Sequence, residues 1–224
     1  FMYLVGSGIA MGISWMLLFE GYKQNGVSIT TLIYYCGPAL VMISSPYIFK
    51  EKMTSIKILA FVLVMIGMVL VNTQALQQGE LTKGIIFAIG SAITYALMII
   101  LNKKAIHIKG IENSMLQVLI GLVVVGSFVL SDHQLPINAI KENIMPMLFL
   151  GIVNTGIGCY LYFSAIPELP VGSVAILGYL DPVSAVIFSA LVLHEHLSIL
   201  QIIGAFLIIG GAMAGELIRK KSER

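Results

Sequence analysis

A carboxylate and a proline stand side by side, Asp181 and Pro182, in the stretch GYLDPVSA at 178–185. The stretch lies inside an apolar run, 171–193, in which Asp181 is the eleventh of 23 residues. An ionised aspartate at the centre of a bilayer costs about 2.5–3.5 kcal/mol. Asp181 must therefore face a cavity, hold a partner or carry a proton. Pro182 has no N–H to offer the carbonyl of Gly178, so it breaks the helical ladder beside the acid. A low dielectric disfavours the charged carboxylate, and an arriving proton or cationic group relieves that cost. This is the chemistry of proton coupling or of gripping an amine. The plain structural alternative is a protonated Asp181 bonded to a carbonyl that the proline has freed.

Pro38 sits in the same way inside a second apolar run, 27–49, and cannot donate to the carbonyl of Tyr34. Interrupted membrane helices at corresponding positions point to a transporter's binding site. At helical spacing Gly178 and Asp181 share a face, as do Tyr34 and Gly37. Further polar groups fall mid-run: Ser91, Thr94 and Tyr95, then Asn154, then Ser14 and Trp15. The candidate substrate-binding set is Asp181, Tyr34, Gly178, Ser91, Tyr95, Asn154 and Trp15, with Pro38 and Pro182 as helix breaks. Any one of the hydroxyls or amides also serves as interhelical glue. Glu51 and Glu195 each precede a helix and are expected to brace a loop against the next helix N-terminus. His194 and His196 flank Glu195 but lie two apart with no third ligand in view, so no metal is expected. No cofactor motif is present. Cys36 and Cys159 lie in apolar runs and are expected to be free packing residues.

These residues need elements to hold them, and composition says which. Hydrophobic residues make up 58% of the 224, charged residues 11%, and the mean hydropathy is +0.97. Soluble domains carry roughly 25% charged residues. The chain reads as an all-α polytopic membrane protein. Eight spans are expected, at 1–22, 27–49, 54–71, 84–101, 114–130, 145–166, 171–193 and 198–218, with Thr54 and Ser198 as N-caps. Alternate loops divide the thirteen lysines and arginines ten to three, which places the ten-charge side and the C-terminus in the cytoplasm. The net charge of +2 offers nothing to a nucleic acid.

Shifting the sequence by 144 residues superposes 12–67 on 156–211 without a gap and with thirteen identities in 56 positions. Val27, Tyr35, Pro38, Ser45, Glu51 and Gly67 land on Val171, Tyr179, Pro182, Ser189, Glu195 and Gly211. By the charge rule the matched spans run in opposite directions, the inverted build of many secondary transporters. Spans four and five have no partner unless two helices precede Phe1. The expected architecture is therefore inverted five-helix repeats with eight of ten transmembrane helices present. Residues 1–73 form the last three helices of the first repeat, residues 84–218 all five of the second, and 219–224 a basic cytoplasmic tail.

The stretch YLDPVSAVIFSALVLHEHLSILQIIGAFLIIGG at 179–211, with its weaker echo YYCGPALVMISSPYIFKEKMTSIKILAFVLVMIG at 34–67, resembles the drug/metabolite transporter superfamily, EamA type. The resemblance covers the whole chain. It implies a carrier in the bacterial plasma membrane that exports a small metabolite, amino acid or drug by alternating access. The second copy fits the family pattern well, and the first departs from it with Lys50 before its glutamate and an extra Pro46. The absence of buried lysine or arginine points to a neutral, zwitterionic or cationic substrate. The expected partners are that substrate and the lipid bilayer, and a homodimer is the one candidate assembly. A membrane-embedded enzyme is the rival reading, as is a passive helical subunit. The sequence holds no H-E-x-x-H, no paired aspartates and no intramembrane lysine or histidine beside a serine, so no enzyme is expected.

Overall fold

Long apolar segments without water must bond their backbone internally, and helices do this. The computed structural model describes residues 1–51, 54–71, 84–131, 141–192 and 198–222, and among these there is no strand. The elements are α1 (Met2–Asn25), α2 (Val27–Tyr34), α3 (Cys36–Phe49), α4 (Ser55–Val71), α5 (Gly84–Lys104) and α6 (Gly110–Ser131). They continue with α7 (Ile144–Phe149), a π-helical segment (Leu150–Gly158), α8 (Cys159–Ala165), a 3-10 turn (Ile166–Glu168), α9 (Val171–Gly178), α10 (Leu180–Val192) and α11 (Ile199–Ser222). Five stretches are long and apolar enough to cross a membrane: Met2–Gln24, Ile29–Phe49, Gly84–Lys104, Gly110–Ser131 and Ile144–Glu168. The shorter apolar helices Ile58–Val71, Val171–Ser184 and Ile199–Ala214 occupy the three remaining expected spans.

Many large apolar side chains face outward, and small or polar ones are common inside. On α5, Ile86, Ile89, Ile93 and Leu97 are exposed, while Ala88, Ser91, Ala92 and Ala96 are buried. That is the reverse of a water-soluble helix and is the pattern of a lipid-facing surface with close internal packing. α1 packs on α5 and α6, α3 on α5 and α9, and α4 along α11. Ser198 caps α11 as expected: its Oγ accepts the Gln201 N–H at 3.2 Å, and Gln201 Oε1 accepts the Ser198 N–H at 2.9 Å. This reciprocal arrangement is a capping box.

Two helices are broken, but not at their prolines. α2 passes to α3 through Tyr35 (φ −66°, ψ −6°), and α9 passes to α10 through Tyr179 (φ −79°, ψ −2°). Pro38 and Pro182 sit in the first turn of the following helix, where a missing N–H costs nothing. A proline removes the bond to the carbonyl one turn upstream, so the discontinuity falls upstream too. Under the 144-residue shift the starts of α2, α3 and α4 land on the starts of α9, α10 and α11.

α4 and α11 run antiparallel at close quarters. A Cβ on Gly204 would stand 2.6 Å from the Gly67 carbonyl oxygen, and one on Gly67 would stand 2.6 Å from that of Gly204. Seven residues along, a Cβ on Gly211 would meet the Ala60 carbonyl at 2.9 Å. The shift carries Gly67 to Gly211 and Ala60 to Gly204, so the contact maps onto itself.

The π-helical segment was not expected. It replaces the middle of span six, and no residue of Ile144–Gly158 is buried. Its sequence, LGIVNTGIG, holds three glycines, which relax the helical constraint.

Candidate functional site

The two breaks meet. The Tyr179 hydroxyl donates to the backbone carbonyl of Tyr35 at 2.9 Å, with Met65 Sδ at 3.2 Å. Tyr35 and Tyr179 are the break residues of the two copies, 144 positions apart. The Tyr35 hydroxyl in turn donates to Asp181 Oδ2 at 3.2 Å. The described partner of the carboxylate is thus a phenol from the opposite broken helix, not a freed backbone carbonyl. The Ser184 hydroxyl donates to the backbone carbonyl of Asp181 at 2.7 Å. Asp181 is exposed although it lies mid-span.

What it faces is a cavity of about 530 Å³, within the ~300–1,000 Å³ range of small-molecule sites. Six of the seven expected contact residues line it: Asp181, Tyr34, Gly178, Tyr95, Asn154 and Trp15. Pro38 lines it as well, whereas Pro182 is buried behind the break. Tyr34 stands edge-on to Tyr95, ring centroids 5.1 Å apart. Tyr95 and Tyr162 share a hydrogen bond between hydroxyls at 2.9 Å. Asn154 reaches the cavity from the π-helical segment, a kind of irregularity that often marks functional positions. Among the described residues the wall is therefore largely aromatic, with one carboxylate, one amide and the Ser14 hydroxyl, and no lysine or arginine.

Ser91 is the exception. It is fully buried and pairs reciprocally with Ser14: the Ser91 Oγ donates to the Ser14 carbonyl at 2.9 Å, and the Ser14 Oγ to the Ser91 carbonyl at 3.0 Å. These bonds staple α1 to α5 at the cavity wall, which Ser14 but not Ser91 lines. Ser91→Ala is expected to cost about 1–2 kcal/mol of stability in thermal denaturation, since it strips one partner from a buried pair. Ligand affinity at the cavity should stay unchanged.

Tyr35, Tyr162 and Tyr179 were missed as site residues by sequence reasoning. The repeat had already paired Tyr35 with Tyr179, and that was the available signal. Tyr162 carried none beyond being aromatic. Gly37, the repeat counterpart of Asp181, instead lets α3 press on α5: a Cβ there would lie 2.6 Å from the Tyr95 ring.

Glu51 does brace a helix N-terminus, but across the molecule. Its Oε1 accepts the Val171 N–H at 2.7 Å, and its Oε2 accepts the Gly172 N–H at 3.2 Å and the Ser45 hydroxyl at 3.2 Å. The helix it caps is α9, not the neighbouring α4. Glu195, His194 and His196 lie outside the described residues. Among the described residues no cluster of histidine, cysteine, aspartate or glutamate is arranged to hold a metal.

A polytopic helical membrane protein whose broken helices enclose a small-molecule cavity has the build of a membrane transporter. The EamA-like transporter family model matches residues 1–73 and 82–214, and the chain belongs to that family. It is similar to the uncharacterized transporter YxxF of Bacillus subtilis, at 24% identity over 96% of this chain and 70% of that one. An uncharacterized transporter of Clostridium kluyveri is 29% identical over 98% of this chain and 73% of its own length. A solved crystal structure shares the fold, with a TM-score of 0.82 over 100% of this chain and 78% of the other, at 17% identity.

Proposed function

We propose that this multi-pass membrane transporter is a secondary carrier that exports a small zwitterionic or cationic organic molecule by alternating access, with neutral analogues binding more weakly. The observation that carries the reading is the cavity at the meeting of two repeat-related breaks, with Asp181 exposed to it among aromatic rings. Aromatic faces and a carboxylate together suit an organic cation. A phosphate ester would need cations at the wall to replace its water. Lys103 is half-buried, but its Nζ is already committed to the backbone carbonyls of Ile166, Pro167 and Leu169.

Inversion of the two repeats is supported by the antiparallel, self-mapping contact of α4 with α11. The charge bias supports a cytoplasmic C-terminus in the cell membrane. Among the described residues that line the cavity there is no acid–base pair and no nucleophile with its base, which favours transport over catalysis. The test is counterflow in proteoliposomes holding the protein alone. Labelled amine-bearing solutes should exchange against unlabelled ones, and phosphate esters should not. Pro182→Ala restores the donor for the Gly178 carbonyl, and it should slow exchange of all solutes alike. Failure of every amine-bearing or zwitterionic solute to exchange, with a phosphate ester exchanging instead, would overturn the reading.

A further inference from the structure

We propose that Glu51 is a latch that holds the cavity shut on its own side of the membrane, a contact that must break and re-form in each transport cycle. The proposal rests on the alternating-access reading above. α9 begins after Pro170, which supplies no side-chain cap. Its first N–H groups are orphans that need an acceptor. The acceptor comes from the other repeat: both oxygens of Glu51 close on Val171 and Gly172, with the Ser45 hydroxyl steadying Oε2. A carboxylate at a helix N-terminus gains charge-assisted bonds and a favourable dipole.

The backbone delivers the carboxylate deliberately. Lys50, just before it, takes a left-handed conformation (φ 55°, ψ 29°) that ends α3 and turns the chain toward α9. Among the described residues it is the one non-glycine with positive φ.

The linker between α8 and α9 is held from its other end as well. Lys103 donates to the carbonyls of Ile166 (3.1 Å), Pro167 (2.7 Å) and Leu169, and Lys109 pairs with Glu168 at 2.9 Å. A cation thus sits on the carbonyl end of one helix and an anion on the N–H end of the next. Ile166, Leu169 and Val174, immediately around these contacts, line the cavity. Separating α9 from α3 at this end would break the bonds that Glu51 makes to Val171 and Gly172. Ser45, Glu51 and Val171 are each members of identical pairs in the 144-residue register, so the latch draws on residue types present in both copies.

Cys159 lines the cavity and is one of two cysteines in the chain. With Cys36→Ala as background, its alkylation by a membrane-impermeant maleimide reports access from either face of oriented vesicles. Reagent added on the Glu51 face should react slowly with the background protein. Glu51→Gln should raise that rate about tenfold, the scale of losing hydrogen bonds to a charged group. Val171→Pro removes the partner donor at a helix position where proline is tolerated. It should act in the same direction, and the double variant should add little to either single change. Ser45→Ala, the mildest change, should give a smaller increase. Unchanged Cys159 rates on the Glu51 face in folded Glu51→Gln and Ser45→Ala proteins would overturn the latch. The readout needs no substrate, so increased labelling without counterflow would sink the transport reading and leave the latch standing.

Discussion

Asp181→Asn is expected to insert and fold normally yet lose at least about tenfold in affinity for amine-bearing substrates, with neutral analogues affected little. The substitution keeps the size of the side chain and a hydrogen-bonding oxygen for the Tyr35 hydroxyl. It removes only the charge and the ability to take a proton. Hydrogen bonds to a charged group contribute roughly 1.5–3 kcal/mol, which is about a ten- to hundredfold change in affinity. Among the described residues that line the cavity the acid is the one charged side chain, its polar neighbours being Ser14, Asn154 and tyrosine hydroxyls, so no neighbouring charge can take over. Tyr35→Phe should give a smaller loss, because it frees Oδ2 without neutralising it. Competition binding with amine and neutral members of one compound series checks the pattern. Equal affinity of wild-type and Asp181→Asn protein for the amines would leave the carboxylate without a role in recognition.

The second large effect is structural. Gly204→Ala should destabilise the protein by about 2–3 kcal/mol, the upper end of what overpacking costs. The new methyl would fall 2.6 Å from the Gly67 carbonyl oxygen and 2.8 Å from the Val71 nitrogen, and both obstacles are backbone. Neither can rotate away, so α4 and α11 must separate. Gly210 lies on the same helix with nothing within 4 Å of its would-be Cβ. Gly210→Ala should be neutral, or stabilising by up to about 1 kcal/mol through helix propensity. Thermal denaturation in detergent separates the two, and a similar melting shift for both would mean that α4 and α11 do not pack as described.

Much of this organisation could be read before any coordinates. Hydrophobic spacing located an apolar helix in each of the eight expected spans, five of them long enough to cross a membrane, because a membrane helix needs little beyond length and apolarity. The gapless register gave the paired breaks, since matched prolines and glutamates do not arise from apolar bias. Six of seven expected contact residues share one cavity because mid-span polar groups have few other places to go. Ser91 went wrong for a definite reason: a buried hydroxyl facing another helix has the same sequence signature as one facing a cavity. The π-helical segment could not be read, since its glycines are as common in ordinary membrane helices. Glu51 was assigned the right kind of partner on the wrong helix. Local sequence shows that a carboxylate precedes a helix, but not which N-terminus tertiary packing brings nearest.

The cavity is lined by the chain's single tryptophan, Trp15, so its fluorescence reports on the site. The most direct measurement is a titration of the purified protein with an aryl ammonium ion and with an aryl phosphate of similar size. The ammonium ion should change Trp15 emission saturably, the effect should weaken at least about tenfold in Asp181→Asn, and the phosphate should leave it unchanged. Saturable binding of the phosphate, or an ammonium response identical in wild type and Asp181→Asn, would contradict a cation-selective site built around Asp181.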